Sequence, residues 1–387
     1  MSETFAIHAP QLFDGEAMHS DAFVLVRNGV IADVVDEKPD VAVTSLPEGS
    51  ILAPGFIDLQ VNGGGGVMLN DDPSPKTIAK IAAAHLSFGT TSFLPTLISD
   101  TRDKMRAAIA AVDAAIAHGE RSVIGIHLEG PFLNPERKGV HPQAHIIPAR
   151  NDDAILLSVL KNGVTLVTLA PEKAPQGFIK ELKQRGIIIA AGHTDATAED
   201  IKTAFADGVT GFTHLYNAMS QLNSRAPGAV GACLSDDASF AGIIADGHHV
   251  SVEALRIALK AKTAQKLFLV SDAMASLGTE AKSFTLFGED IHVADGRLAT
   301  ASGTLAGAQL DMASAVRFMV EKAGASIGEA LMMATSTPAC FIGLDQKIGR
   351  ITAGLRADFV ALDSKLQVVD TWLAGQNNSP SLHRMKA

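Results

Sequence analysis

The sequence contains very little cysteine, with two residues, Cys233 and Cys340, in a chain of 387. Two thiols are too few for a disulfide framework or a cysteine-based zinc finger. Disulfides are rare in reducing compartments, so this composition favours the cytoplasm. The N-terminal residues also lack the basic segment and apolar run that a secretory signal requires. We therefore expect a cytoplasmic protein.

Long apolar runs and an excess of basic residues are absent as well. No stretch of about 18 uninterrupted apolar residues occurs, so we expect no transmembrane helix and no membrane partner. Lys and Arg number 32 against 42 Asp and Glu, which gives a formal charge of −10. Nucleic-acid binding needs a basic surface, so we expect no nucleic-acid partner. Any anionic ligand must bind despite the electrostatic repulsion from this net negative charge.

Apolar residues are abundant, at 47% of the chain, whereas charged residues make up 19%. This balance excludes intrinsic disorder. At roughly 150 residues per domain, the length allows one large domain or two to three smaller ones. The amino-terminal region favours β-structure, because two apolar segments, 22–27 and 30–35, flank the hairpin dipeptide Asn28-Gly29.

The carboxyl-terminal region returns to β-structure. Its β-like segments are 349–351, 357–363 and 368–372. Because β segments bracket the central part of the chain, we expect both ends to pair in one small β-sandwich, formed by residues 1–53 and 346–387.

From residue 51 onward, short apolar runs alternate with segments of helical period. The runs are 51–61, 91–97, 123–128, 164–169, 187–191, 211–215, 239–244 and 267–270, and the helical segments include 76–88, 101–118, 152–161 and 198–207. Eight strand–helix units over roughly 250–300 residues predict an α/β fold, a (β/α)8 TIM barrel over residues 54–345. An open doubly wound sheet is the alternative, but no G-x-G-x-x-G motif follows the first strand.

The eighth strand–helix unit is interrupted. Three β-like segments, 284–287, 291–293 and 297–300, precede helical segments at 309–321 and 327–333. We therefore expect a β insertion between the last barrel strand and its helix.

Four predicted barrel strands end in polar residues. The carboxyl ends of parallel barrel strands meet at one mouth, where functional residues lie. Glu129, His193 and His214 offer two imidazoles and a carboxylate, which suit a borderline cation such as Zn²⁺ and leave a position open for water. Asp272 is then a candidate general base.

Purely structural roles for these residues remain open. His193 and His214 also suit core histidines that are hydrogen-bonded to a buried Glu129. Asp272 equally suits the N-cap of a following helix.

Polar residues in predicted loops offer further ligand contacts. His141, His248 and His249 lie in loop-like segments, and loops over a barrel mouth commonly contact substrate. Arg225 lies in a tight turn and suits a phosphate or carboxylate group.

Longer strings carry a resemblance to known proteins. His-Leu-Glu-Gly-Pro-Phe at 127–132 and His-Leu-Tyr-Asn-Ala-Met at 214–219 are the most specific, whereas Pro-Gly-Phe-Ile-Asp at 54–58 and Gly-Leu-Arg-Ala-Asp at 354–358 are broader. Over essentially its whole length the chain resembles the amidohydrolase superfamily, and within it the N-acetylglucosamine-6-phosphate deacetylase family.

The resemblance implies a deacetylase that acts on a sugar phosphate in amino sugar catabolism or cell-wall recycling. It implies one divalent ion per subunit, held by Glu129, His193 and His214. Zn²⁺ is expected first, and Fe²⁺, Co²⁺ or Mn²⁺ also suit this donor set. Asp272 would take a proton from the attacking metal-bound water and return it to the leaving amine, while His141 would polarise the scissile carbonyl.

The resemblance also implies substrate contacts and a homodimer. The expected contacts are Gln60, Val140, His141, Asn217, Ala218, Arg225, His248, His249, Leu305, Ala306 and Gly307. In some family members the counterparts of Arg225 and His249 come from the neighbouring subunit, so we expect a homodimer with its active site near the interface.

One string departs from the wider superfamily. Many members carry His-x-His after Gly-Phe-Ile-Asp, where this chain has Gln60-Val61-Asn62. Amides are poor ligands for borderline divalent ions, so a second metal site should be weak or absent. This places the chain with the mononuclear branch of the deacetylases.

Two other functions remain open. The first is an amidohydrolase of another N-acyl amino sugar or a cyclic amide, although Arg225 and the Asn217-Ala218 turn favour an anionic substrate. The second is a non-catalytic barrel relative, although such relatives typically lose metal ligands that this chain retains.

Overall fold

The computed structural model describes residues 4–378 of the chain. Its first five strands are β1 (Thr4–Phe13), β2 (Met18–Arg27), β3 (Val30–Val35), β4 (Ala42–Ser45) and β5 (Ile51–Pro54). Strand β1 pairs antiparallel with β2 and parallel with β4 and β5. The chain turns from β2 into β3 at the predicted hairpin, where Asn28 and Gly29 have φ of 53° and 78°. These two residue types adopt positive φ at low cost, so the chain reverses there.

Eight parallel strands then form the barrel, each beside the next along the chain. They are β6 (Phe56–Val61), β9 (Thr90–Ile98), β10 (Gly125–Glu129), β11 (Val164–Leu169), β12 (Ile188–Ala191), β13 (Gly211–Phe212), β14 (Phe240–Ile243) and β15 (Leu267–Leu269), and a small hairpin of β7 (Gly63–Gly64) and β8 (Val67–Met68) follows β6. The first and last strands meet where the Asp272 amide donates to the Gln60 carbonyl at 3.0 Å. The predicted barrel fold is confirmed.

The predicted first barrel strand, 51–61, is divided in the structure. Strand β5 ends at Pro54 and belongs to the sheet at the chain ends, whereas β6 begins at Phe56. Gly55 lies between them, packed so closely against Thr91 that an added Cβ would collide with the threonine side chain. Glycine therefore lets the chain pass from one sheet into the other at this point.

Helices alternate with the barrel strands. They are α1 (Pro75–Leu86), α2 (Arg102–Ala117), α3 (Asp153–Leu157), α4 (Phe178–Gln184), α5 (Ala198–Asp207), α6 (Gly228–Ser235), α7 (Val252–Lys262), α8 (Met312–Phe318), α9 (Ile327–Ala334) and α10 (Ser336–Phe341). Helix α5 matches its predicted bounds because Thr197 and Asp200 form a capping box at its start. Across residues 4–378, no helix has the length and apolar character needed to cross a bilayer.

Shorter helical turns complete the helical structure. Three 3-10 turns lie at Pro135–Arg137, Gln143–His145 and Pro171–Lys173, and a π-helical turn, Met319–Ala323, follows α8. The first two of these turns flank His141, which places that residue in a loop as predicted.

A four-stranded antiparallel insertion interrupts the last strand–helix unit, as predicted. Its strands are β16 (Ser283–Leu286), β17 (Glu289–Ala294), β18 (Arg297–Ala299) and β19 (Leu305–Ala308). Its buried side chains, including Leu286 and Ile291, pack with Ile98 and Met274. Ile98 ends β9 and Met274 follows β15, so the insertion lies against the carboxyl ends of barrel strands.

The last strands of the described chain return to the first sheet. They are β20 (Phe359–Leu362), β21 (Val368–Leu373) and β22 (Gln376–Asn377), and the sheet order is β22-β21-β20-β5-β1-β2-β3, with β4 beside β1. The predicted β segment at 349–351 is wrong, because Ile351 forms no strand and donates its amide to the Asp14 carbonyl at 2.8 Å.

The predicted division into residues 54–345 and a domain of residues 1–53 with 346–387 stays a prediction. Residues 1–3 and 379–387 of that second domain lie outside the described residues.

The sheet at the chain ends has its own apolar core and its own spectroscopic reporter. Phe359 is fully buried there, with its ring centroid 6.5 Å from that of Trp372, the only tryptophan of the chain. We predict that Phe359→Ala lowers the free energy of unfolding of this sheet by about 3–5 kcal/mol, because the truncation leaves a cavity. Urea denaturation followed by tryptophan fluorescence measures the change.

Phe287→Ala is the matched control for this measurement. The Phe287 side chain is 39% exposed in the insertion, so we expect its loss to change the free energy of unfolding by no more than about 0.5 kcal/mol. Equal shifts of the fluorescence transition in the two variants would contradict the prediction.

Candidate active site

The four polar residues predicted from strand ends lie at the carboxyl end of the barrel. Glu129 is the last residue of β10, whereas His193, His214 and Asp272 follow β12, β13 and β15. These last three residues have positive φ, of 48°, 33° and 51° respectively. A backbone conformation of this kind costs on the order of 1–3 kcal/mol per non-glycine residue. It persists only where the surrounding structure imposes it. The barrel therefore holds these three residues in conformations that they would not adopt alone.

Glu129, His193 and His214 form a tight triangle. Glu129 Oε1 lies 3.2 Å from His193 Nε2 and 3.0 Å from His214 Nε2, and the two ring nitrogens are 3.0 Å apart. All three side chains are buried. This is the cluster among the described residues whose donor atoms could hold a metal ion.

The hydrogen bonding of this triangle fits a divalent cation. His193 Nδ1 donates to the Arg137 carbonyl at 2.8 Å, which leaves Nε2 of the neutral ring with a free lone pair. His214 Nδ1 is buried and has no hydrogen-bond partner among residues 4–378. Both Nε2 atoms thus face one carboxylate oxygen, and two imidazoles with one carboxylate are a common donor set for Zn²⁺ and related ions.

The charges of the triangle also suit a cation. Burial alone would raise the pKa of Glu129, but its close contacts with His193 and His214 outweigh burial and hold that pKa well below its usual value. Burial would likewise lower the pKa of His214, but its hydrogen bond to Glu129 raises it. The site therefore concentrates negative charge on one buried carboxylate.

Asp272 lies beside this carboxylate and is held by two amides. Asn62 Nδ2 donates to Asp272 Oδ1 at 2.6 Å, and Gln60 Nε2 donates to the same oxygen at 3.2 Å and to Glu129 Oε1 at 3.1 Å. Burial, followed by the Glu129 charge, raises the pKa of Asp272 to about 6. The N-cap explanation of Asp272 is wrong, because the next helix begins only at Met312.

The two amides explain what the Gln-x-Asn string does in this chain. Gln60 and Asn62 direct N–H groups at Asp272, and an N–H group cannot act as a metal ligand. The expected weakness or absence of a second metal site stays a prediction, and this orientation of the amides favours it.

A cavity of about 370 Å³ opens above these residues, a volume that suits a small molecule. The predicted substrate contacts that border it are Val140, His141, Asn217, Ala218, His249, Leu305 and Gly307. His141 lies deepest among the loop residues, with Nε2 4.0 Å from Glu129 Oε2 and its ring centroid 4.3 Å from that of His193. Burial, and then the proximity of His193, holds the pKa of His141 well below its usual value, so the ring is neutral.

Two predicted contacts lie behind the cavity wall. Gln60 is buried below the cavity and contacts the two carboxylates instead. Ala306 is fully buried in the core of the insertion. Successive residues of a strand point to opposite faces, so Leu305 and Gly307 border the cavity and Ala306 cannot.

Two further predicted contacts lie away from the cavity. His248 is exposed, and its Nε2 lies 3.2 Å from the Asp295 carbonyl in the insertion. Arg225 is exposed and borders a neighbouring cavity of about 550 Å³. Within one chain, neither residue joins Asp272 in the same cavity.

Arg137 borders both cavities and was not among the residues predicted from the sequence. Its Nε and Nη2 donate to Asp195 Oδ1 at 2.9 and 2.7 Å, which fixes the guanidinium at the rim. Its position in the sequence could have predicted this role, because Arg137 and Lys138 directly precede the loop that carries His141. Other bordering residues that were not predicted as site residues are Asn62, Ile98, Glu136, Gly139, Ile244, Met274 and Thr304.

A parallel barrel with a Glu-His-His cluster and a second carboxylate at its mouth defines a barrel hydrolase of the metal-dependent class. Residues 51–381 match the sequence model described as "Amidohydrolase family", and the chain belongs to that family. This confirms the predicted enzyme class. Because the family is metal-dependent, we interpret the triangle as its metal site and not as a group of core histidines.

Individual relatives support a narrower resemblance. An N-acetylgalactosamine-6-phosphate deacetylase of Shewanella sp. (strain ANA-3) is 42% identical over 91% of this chain and 88% of the relative. An N-acetylglucosamine-6-phosphate deacetylase of Haemophilus influenzae is 35% identical over 92% of this chain and 94% of the relative. The crystal structure of N-acetylglucosamine-6-phosphate deacetylase from Pasteurella multocida matches with a TM-score of 0.93 and 34% identity, over 97% of this chain and 100% of that one. The resemblance to the deacetylases of this family is confirmed.

The metal site makes a prediction about metal content. We expect Glu129→Gln to bind a divalent ion more than about 100-fold more weakly than the unchanged protein, because the substitution removes the negative charge that both imidazoles face. Elemental analysis after dialysis, with about one ion per unchanged chain as reference, measures the loss.

Glu136→Gln serves as control because Glu136 borders the same cavity outside the triangle. It should keep a full complement of metal. Equal metal content in Glu129→Gln and the unchanged chain would show that the ion binds elsewhere.

Proposed function

We propose that the protein hydrolyses the acetamide of N-acetylglucosamine 6-phosphate, giving glucosamine 6-phosphate and acetate in amino sugar catabolism or cell-wall recycling. The observation that carries this proposal is that the metal-type triangle, Asp272 and His141 meet at one cavity of suitable size. The relatives named as deacetylases of such sugar phosphates support the choice of substrate, since they match over nine-tenths of this chain.

The residues of the triangle have one task in this reaction, which is to hold the ion. A divalent ion bound by Glu129, His193 and His214 would lower the pKa of a water molecule and polarise a carbonyl oxygen. The Arg137 carbonyl keeps the His193 ring oriented, because it accepts the Nδ1 proton.

Asp272 is the proposed proton carrier. Its Oδ1 accepts hydrogen bonds from Asn62 and Gln60, whereas Oδ2 has no hydrogen bond among the described residues. Oδ2 is therefore the oxygen that takes the proton from the attacking water. The same oxygen then returns the proton to the departing glucosamine nitrogen, so that the amine leaves as a neutral group.

His141 is the proposed partner of the carbonyl oxygen. Its Nε2 lies 4.0 Å from Glu129 Oε2 of the triangle, and the ring is buried and neutral. A neutral imidazole that donates from Nε2 stabilises the negative charge that develops on this oxygen as water adds.

Asp272→Asn tests the proton carrier. We predict that this variant folds and retains its metal but loses about 10²- to 10⁴-fold in kcat, because the amide cannot accept the proton. Acetate release at saturating substrate measures kcat, and elemental analysis checks the metal. Turnover close to that of the unchanged enzyme would exclude Asp272 from this role.

The phosphate group of the proposed substrate needs positive potential on a chain of net charge −10. In the cavity this potential would come from Arg137, from His249 and from the backbone amides near Asn217 and Ala218. His249 is oriented by Asp246, whose Oδ2 lies 2.6 Å from His249 Nδ1. We propose that the phosphate lies at this end, with the acetyl group near Leu305 and Gly307.

We further propose a homodimer, in which Arg225 reaches the cavity of the neighbouring subunit. Two features support this proposal. Arg225 lies in an exposed segment, 221–227, that includes an exposed Leu222, and Arg225 borders a cavity that adjoins the active site through Arg137. His248 could contact substrate only in such an assembly, since within its own chain it lies beside the insertion.

Zinc and a cytoplasmic location complete the proposal. Two imidazoles and one carboxylate suit Zn²⁺, and they also accept Fe²⁺, Co²⁺ or Mn²⁺, so the metal analysis above identifies the ion. Cys233 and Cys340 are both free thiols, which is consistent with a reducing compartment.

A second candidate substrate is N-acetylgalactosamine 6-phosphate. The relative with 42% identity carries that name, whereas the Haemophilus relative with 35% identity is named for the glucosamine form. The two sugars differ only in the orientation of one hydroxyl group, and both present the same acetamide and phosphate to the proposed machinery.

The substrate assignment is tested with four sugars, namely the two N-acetylhexosamines with and without the 6-phosphate. We expect the phosphate to raise kcat/KM by about 100-fold or more, because it gains charge-assisted hydrogen bonds, and we expect the glucosamine form to be preferred. A higher kcat/KM for the galactosamine form would select the second candidate. Equal values with and without phosphate would refute a sugar phosphate substrate.

A further inference from the structure

We infer that Ser99 is a positioning residue that sets the tautomer of His141, so that the single ring proton lies on Nε2 and points into the cavity. The tautomer follows from the geometry of the described residues. Its purpose, donation to the carbonyl oxygen of the acyl group, rests on the proposed function.

Ser99 contacts His141 through two groups. The Ser99 backbone N–H donates to His141 Nδ1 at 3.3 Å, and the Ser99 hydroxyl oxygen lies 2.7 Å from the same nitrogen. Both residues are almost fully buried, at 1% and 3% exposure, so water does not compete for these contacts. Nδ1 is thus the nitrogen that faces the protein, and Nε2 is the one that faces Glu129.

The backbone N–H decides which ring nitrogen carries the proton. A hydroxyl group can donate or accept, so the 2.7 Å contact alone permits either tautomer. A backbone N–H can only donate. A proton on His141 Nδ1 would leave the Ser99 N–H without its acceptor and place two positive hydrogens together, even though the hydroxyl could turn to accept from Nδ1. The neutral ring has one proton, and it must lie on Nε2.

Asn70 fixes the direction of this backbone N–H. Asn70 Nδ2 donates to the Ile98 carbonyl at 2.9 Å, and the Ile98 amide donates to Asn70 Oδ1 at 3.0 Å. The Ile98 carbonyl and the Ser99 N–H belong to one planar peptide group and point in opposite directions. Holding the carbonyl on one side therefore aims the N–H at His141 on the other.

The Ser99 hydroxyl is confined as well. It lies against Gly130, where an added Cβ would collide with Ser99 Oγ. The other acceptor within its reach is the Glu129 carbonyl, at a longer 3.4 Å. With Nδ1 unprotonated, the hydroxyl donates to Nδ1 and strengthens the same tautomer.

This arrangement divides the chemical tasks between two residues that border the cavity. His141 donates a hydrogen bond from Nε2 and is not free to take a proton there. Proton acceptance then falls to Asp272 Oδ2.

Nitrogen NMR of the zinc-loaded protein, labelled with ¹⁵N in its histidine rings and assigned with a His141→Gln variant, tests the tautomer directly. Near neutral pH we expect the His141 Nδ1 signal at the position of an unprotonated ring nitrogen and the Nε2 signal at that of a protonated one. A protonated Nδ1, alone or together with a protonated Nε2, would overturn the inference. This measurement needs no substrate.

Ser99→Ala tests the consequence for the reaction. We expect kcat to fall about tenfold with little change in KM, because the ring loses a partner that orients it for the transition state. Ser336→Ala is the control, since it removes a buried serine hydroxyl that donates to the Gly15 carbonyl far along the chain. Unchanged kcat in Ser99→Ala, or an equal fall in the control, would overturn the positioning role.

The two experiments separate the failure of this inference from the failure of the proposed function. If the unchanged enzyme hydrolyses none of the four sugars but shows the expected NMR signals, the substrate is wrong and the tautomer stands. If turnover is normal and Nδ1 is protonated, the substrate stands and the role of Ser99 is wrong.

Discussion

One carboxylate oxygen, Oε1 of Glu129, holds together the side chains at the mouth of the barrel. It lies at 3.0 to 3.2 Å from His193, His214 and Gln60, which belong to or follow three other barrel strands. A buried carboxylate without such partners would cost several kcal/mol. The strained positive φ of both histidines is tolerable because the barrel brings them to this oxygen, so the fold and the donor set support each other.

Charge on this protein has to be judged locally. The chain carries a net −10, and its active-site residues include the buried carboxylate of Glu129 and the half-buried one of Asp272, yet the proposed substrate is an anion. A bound cation would neutralise part of this charge at one end of the cavity, while Arg137 and His249 border the same cavity. We expected no extended polyanion as a partner because such binding needs a broad basic surface, but the overall charge does not decide the binding of one phosphate group.

The sequence alone was sufficient for the barrel and for the four residues at its strand ends, because parallel strands bring their carboxyl ends to one place. It could not separate 51–61 into two strands, since the reason is the contact of Gly55 with Thr91. It also missed Arg137 and Ser99, whose partners, Asp195 and His141, are distant along the chain. Ala306 was included with its neighbours because a motif names consecutive residues, whereas a strand alternates between two faces.

The sheet shared by the two chain ends has a consequence for synthesis on the ribosome. Strand β5 is flanked by β1 on one side and by β20 on the other, and β20 begins only at Phe359. All eight barrel strands have been made by residue 269, long before that partner emerges. Until then, the outer edge of β5 is an open template on which strands of other nascent chains could pair. Between synthesis of the last barrel strand and arrival of β20, the nascent chain therefore exposes a strand edge that the folded protein covers.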